Sequence, residues 1–144
     1  MKRTSRLVML GQFIMTAATL MYGVVPPLVD LTETHVFHPD WTPHARMHMV
    51  WLLCTNTAIA ILALYFLWLH KSSRAFGVHL AGLLGLCVYG GFILSASTSS
   101  LYGGSMSDKG GVPPVMGMDA NILAFSLALT LLLVGWLLAR KSVA

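Results

Sequence analysis

The residues able to do chemistry crowd into one run: Asp30-Leu-Thr-Glu33-Thr-His35-Val-Phe-His38-Pro-Asp40-Trp41-Thr-Pro-His44-Ala-Arg46-Met-His48. It holds four of the six histidines, three of the five acids, and Arg46. If a helix starts at Pro43, His44 and His48 stand at i and i+4 and share a face. That face continues through Trp51, Thr55, Ala58 and Leu62. Arg46 is about 200° round from His44, at about 100° per residue, so it points elsewhere.

Three chemistries fit this run. The histidines and Arg46 can hydrogen-bond loop carbonyls and acids, with no role beyond structure. Alternatively, His44 or His48 can act as an acid or base on a small molecule, oriented by Asp30, Glu33 or Asp119, because imidazole gains or loses a proton near neutrality. Arg46 would then anchor an anionic or carbonyl group, and Trp41, Trp51, Thr55 and Asn121 would contact the ligand. In the third reading His44-x3-His48 holds a metal ion, with Asp30, Glu33, His35 or His38 completing the shell. No HExxH and no second ligand motif accompanies it. Met47 and Met49 flank His48, and Met106, Met116 and Met118 lie further on, a thioether set that would suit Cu(I) if it formed a tight MxxM series. It does not, and the sequence implies no particular cofactor.

The elements that must position these groups follow from composition. Of 144 residues 56% are hydrophobic and 10% charged, with a mean hydropathy of +0.75; a soluble domain usually carries about 25% charged residues. Four stretches, about 7–25, 47–69, 76–95 and 122–139, lack Asp, Glu, Lys and Arg and suit a hydrocarbon core that takes about 20 residues of helix. The expected fold is all-α: a single-domain, integral membrane four-helix bundle.

The pI near 9.4 does not signal nucleic acid, because the charges are sorted by side. Lys2, Arg3, Arg6, Lys71, Arg74, Arg140 and Lys141 fall at one end of the spans, and Asp30, Glu33, Asp40, Asp108 and Asp119 at the other. Cytoplasmic flanks carry the Lys/Arg excess, so both termini are expected inside a cell membrane (a bacterial inner membrane) with the two long connections outside. Residues 1–25 read as a signal-anchor: the apolar run exceeds a secretory core and Tyr22-Gly-Val-Val-Pro-Pro27 is a poor cleavage site. Cys54 and Cys87 lie within spans without a CxxC and read as small packing residues.

Local signals place the helix ends. Thr42 is a good N-cap with Pro43 at the first helical position, and Asp119 a good N-cap for the fourth span. Pro26-Pro27 is expected to end the first span. Gly77, Ala81 and Gly85, and Ala120, Ala124 and Ala128, form small-residue stripes that let helices approach in lipid; a homo-oligomer seam is the rival use of one of them. Gln12, Asn56 and Asn121 are expected to hydrogen-bond across the bundle, and His79 to be a satisfied boundary residue. Trp41 and Trp51 on one side, and Trp68 and Trp136 on the other, fit interfacial belts.

The run Thr34-His35, then Pro39-Asp40-Trp41, then Pro43-His44-Ala45-Arg46-Met47-His48 resembles a family of small four-span membrane proteins of bacteria and fungi that share a Pro-His-Ala-Arg-x-His motif. His38 stands where those proteins often have Asn. The resemblance implies the topology and the place of a site, not its chemistry. Size and span count are also similar to sterol-isomerase-like bundles and small quinone-linked subunits, although the intramembrane acids of the isomerases are missing from these spans.

The expectation is a membrane-embedded binding protein or enzyme for a small apolar or amphipathic molecule, working by histidine-mediated proton transfer under the outer loops, between spans two, three and four. The other classes are a non-catalytic subunit of a larger membrane complex and a His-rich metal-binding membrane protein.

Overall fold

The computed structural model describes residues 2–70, 72–106 and 112–140, with side chains from Arg6 onward. The side chains of Lys2 and Arg3, and Lys71, Asp108 and Lys141, lie outside this set. The architecture is all-α: α1 (Lys2–Gly23), α2 (Val25–Asp30), α3 (Pro43–Leu64), α4 (Arg74–Ser97) and α5 (Ala120–Ala139). A wider turn, Tyr65–Leu69, extends α3, closed by His70 N–H donating to Tyr65 O at 3.0 Å. Counting α1 with α2, and α3 with that turn, four helical spans of 20–27 residues are long and apolar enough to cross a membrane.

The bundle runs up and down. Gly11 of α1 meets Ala139 of α5, Gly77 of α4 meets Phe66, and Gln12 meets Leu67. One end therefore collects Arg6, Arg74 and Arg140, and the other the connection 31–42 and the described residues 98–106 and 112–119 of the second connection. Large apolar side chains face outward along the spans: Leu28, Trp51, Ile61, Leu69 and Leu94 are 62–72% exposed. Exposed apolar surface of that extent marks contact with a membrane or with another protein.

The first span corrects one expectation. Pro26 and Pro27 do not end it. They occupy the first turn of α2, where a missing N–H breaks no bond. Gly23 lies against Ala60, and its carbonyl accepts a 2.9 Å bond from Thr57 Oγ1. The break thus redirects the chain and carries Asp30 beyond α1 in helical form.

The caps form as expected. Thr42 Oγ1 accepts from Ala45 N–H at 3.2 Å, and Asp119 Oδ1 accepts from Asn121 and Ile122 N–H at 2.8 and 3.2 Å. Ser73 caps α4 in the same way.

The interior is built on small residues. Gly77, Ala81 and Gly85 are buried within the chain, so this stripe packs helices of one molecule together. Gly82 lies under the Trp136 ring and Gly85 against Leu132. Of the α5 stripe, Ala128 is buried. The crossing at Gly11 and Gly135 was not foreseen: a Cβ on Gly11 would lie 2.6 Å from the Gly135 carbonyl oxygen.

Polar side chains inside the spans mostly find partners. Buried Gln12 donates to Leu67 O at 2.7 Å, Trp68 Nε1 to Thr16 Oγ1 at 2.8 Å, and Trp136 Nε1 to His79 Nδ1 at 3.0 Å. His79 is therefore satisfied, as expected. Asn121 donates to Met106 O at 3.1 Å, tying α5 to the second connection.

Candidate functional site

α3 presents two faces near its start. Met49, Leu52, Leu53, Asn56 and Ile59 recur at helical spacing and line one cavity wall, Leu52 at its half-exposed edge. His44, His48, Trp51 and Thr55 lie on the other side and are exposed. Opposite the inward face, α4 contributes Cys87, Val88, Gly91, Phe92 and Ser95, and α5 contributes Asn121 and Phe125. Between them is a cavity of about 570 Å³, within the range usual for small-molecule sites. Phe92 and Phe125 stack at 3.8 Å along one wall.

α2 closes this cavity with Pro26 and Asp30, and the turn after it adds His35. A second void of about 130 Å³ shares Pro26, Asp30, Asn121 and Phe125 with the first and reaches Tyr89 and Ala128. Asp30 and Asn121 therefore stand where the two voids meet.

The first connection is folded, not slack. Val36 is buried, and its N–H donates to Asp30 O at 3.0 Å. This fold carries the His35 ring back toward α2, with Nε2 3.9 Å from Asp30 Oδ1. The Asp30 side chain is only 16% exposed, and its carboxylate accepts no hydrogen bond among the described residues. A carboxylate largely withdrawn from water and short of donors is costly unless something donates to it.

The far side of the His35 ring is anchored. Its Nδ1 lies 3.0 Å from Thr34 Oγ1, which lies 3.0 Å from Thr32 Oγ1, and Thr32 donates to Val29 O at 2.9 Å. With Thr32 committed to that carbonyl, the consistent hydrogen placement has Thr34 donate to Thr32 and His35 Nδ1–H donate to Thr34. Nε2, facing Asp30, then carries the lone pair of the neutral ring.

Asn56 departs from expectation. Its side chain makes no hydrogen bond among the described residues and lines the cavity instead of bridging helices. Both cysteines are free and exposed; Cys87 lies on the cavity wall and Cys54 outside it.

A scan of protein-family models, a search of curated proteins and a search of solved structures each returned no match to this chain.

The remaining expected site residues are dispersed. His44 and His48 hold each other with Nε2 atoms 3.0 Å apart, and His48 packs on Trp51 with ring centroids 5.9 Å apart. None of these three, nor Thr55, lines the cavity. Arg46 turns from His44 as expected and donates to His38 O at 2.9 Å, beside a shallow apolar hollow formed with Val36, Phe37, Met47, Val50 and Trp51. His38 Nδ1 accepts from Asp40 N–H at 3.2 Å. Trp41 is half-buried, Glu33 is exposed, and Asp119 is engaged in capping α5. Among the described residues no three His, Cys, Asp or Glu side chains gather as a metal shell.

Asp30 and Asn121, expected from the sequence as site residues, and His35, expected only as a metal candidate, line the cavity. The rest of the cavity wall was not foreseen. Its available signal was the inward series Met49, Leu52, Leu53, Asn56, Ile59, with one amide on an otherwise apolar face.

Proposed function

We propose that this chain is an integral membrane protein with both termini cytoplasmic, and that it binds a small amphipathic molecule in the leaflet away from the cytoplasm. One observation carries the reading: an underbonded, largely buried carboxylate, Asp30, lies where two apolar voids meet, with an imidazole 3.9 Å away. The ligand that answers this arrangement has a hydrogen-bond donor at its head, a hydroxyl or an amine. Its apolar body lies along Leu52, Ile59, Val88 and Phe92. Asn56 and Asn121 offer the remaining polar contacts.

His35 is the acid or base of this site, because its Nε2 faces the carboxylate and its Nδ1 is held by Thr34. The histidine-mediated proton transfer expected from the sequence thus belongs to the His35–Asp30 pair, and His44 and His48 stand apart from it.

Orientation rests on Arg6, Arg74 and Arg140 sharing one end of the bundle, opposite Asp30, Asp40 and Asp119. In a variant lacking Cys54 and Cys87, an impermeant maleimide added outside intact cells should label Asp40→Cys and not Ser72→Cys. For the site, a photoactivatable medium-chain alcohol in reconstituted vesicles should crosslink to α3 and α4. The Asp30→Leu variant should lose that crosslink. Equal labelling of Asp30→Leu and the parent protein would refute the binding site.

A further inference from the structure

The His44–His48 pair belongs to no part of the cavity, yet its geometry is specific. The two Nε2 atoms are 3.0 Å apart on successive turns of α3, with ring planes at 87°. Two metal–nitrogen bonds of about 2.0–2.1 Å meeting near a right angle put their nitrogens about 2.9 Å apart. The pair therefore already has the spacing of two adjacent ligands on one ion. A right-angled pair matches tetragonal coordination, the geometry of Cu(II) and Ni(II), more closely than the wider angle of tetrahedral Zn(II).

Position supports access. The second span runs 27 residues, Pro43–Leu69, against about 20 needed to cross hydrocarbon. The surplus of roughly two turns lets His44 and His48 stand beyond the apolar layer, and both are exposed. Arg46, the nearest cation in sequence, is drawn away toward His38 O, so no guanidinium lies between the rings and solvent.

We propose that His44 and His48 form a two-imidazole chelate for a divalent transition ion, Cu(II) or Ni(II), on the outer surface of the protein. Each ring presents its Nε2 lone pair to the ion with its proton on Nδ1; the ring that donates the Nε2–H in the joining hydrogen bond loses that proton to solvent and takes one up at Nδ1 as the ion binds. The ion replaces the hydrogen bond that joins the rings, and water fills the other coordination positions. Two protein ligands make an exchangeable site, in contrast to the closed shell of a structural metal. Both rings must be neutral to coordinate, so protons compete and affinity falls as pH is lowered.

Trp51 supplies the readout, since its ring packs on His48. Titration of the purified full chain with Cu(II) should quench tryptophan fluorescence with one tight equivalent. His44→Ala and His48→Ala should each weaken that equivalent by about tenfold or more, because the second ring acts at high effective concentration once the first has bound. Unchanged helical circular dichroism verifies that these surface variants are folded. Trp51→Phe should keep the equivalent by calorimetry and lose most of the quench. Wild-type Cu(II) affinity in either His44→Ala or His48→Ala would overturn the chelate, as would an undiminished quench in Trp51→Phe.

Discussion

Gly11 and Gly135 bring the backbones of the first and last spans together. A Cβ on Gly11 would lie 2.5 Å from the Ala139 amide nitrogen, and one on Gly135 would lie 2.8 Å from the Gly11 carbonyl oxygen. Helices brought this close depend on small residues, so a single added methyl at this crossing is costly.

Gly11→Ala should therefore destabilise the bundle by about 1–3 kcal/mol, the usual cost of overpacking. Among the described residues nothing lies within 4 Å of a Cβ on Gly90, so Gly90→Ala should be neutral or gain up to about 1 kcal/mol from helix propensity. Thermal unfolding in one detergent compares the two directly.

Gln12→Leu removes the donor to Leu67 O, a buried carbonyl in the wider turn that ends the second span. The expected loss is about 1–2 kcal/mol, set by leaving that acceptor unpaired. Trp68→Phe breaks the exposed bond to Thr16 and should cost less. Denaturant titration followed by circular dichroism ranks the pair.

Gly91 lines the cavity, and a Cβ there meets nothing within 4 Å among the described residues. Gly91→Phe should thus fill the site without disturbing the fold, reducing crosslinking of the photoactivatable alcohol by about tenfold or more, a 1.4 kcal/mol effect. Gly90→Phe, one residue away and outside the lining, should retain the label. Equal labelling of both variants would place the ligand elsewhere.

Asp119 accepts from two backbone N–H groups where Thr42 accepts from one. Asp119→Ala should cost about 1–2 kcal/mol and Thr42→Ala about 1 kcal/mol or less. Crosslinking per folded molecule should be unchanged in both, because neither side chain lines the cavity. Melting curves and crosslinking yields on the same preparations separate a capping role for Asp119 from a role in binding.

The span count, the helix caps at Thr42 and Asp119, and the division of charge between the two ends were readable along the chain, because each depends on neighbouring residues or on the exclusion of charge from hydrocarbon. The same reading put Gly77, Ala81 and Gly85 correctly inside the molecule. It ended the first span at Pro26-Pro27, since a proline pair looks the same whether it stops a helix or opens the next one. Only the Gly23–Thr57 contact and the continuation to Asp30 distinguish the two.

The cavity was decided by tertiary structure. Periodicity shows that His44, His48, Trp51 and Thr55 share a face, but not which face of an apolar helix turns inward when both are hydrophobic. In water the polar face announces itself, whereas in lipid the choice falls to packing. Here packing turned Asn56 inward and left the histidine pair outside. His35 meets Asp30 because Val36 buries itself and folds five residues of loop back onto α2, a closure that residue types alone do not specify.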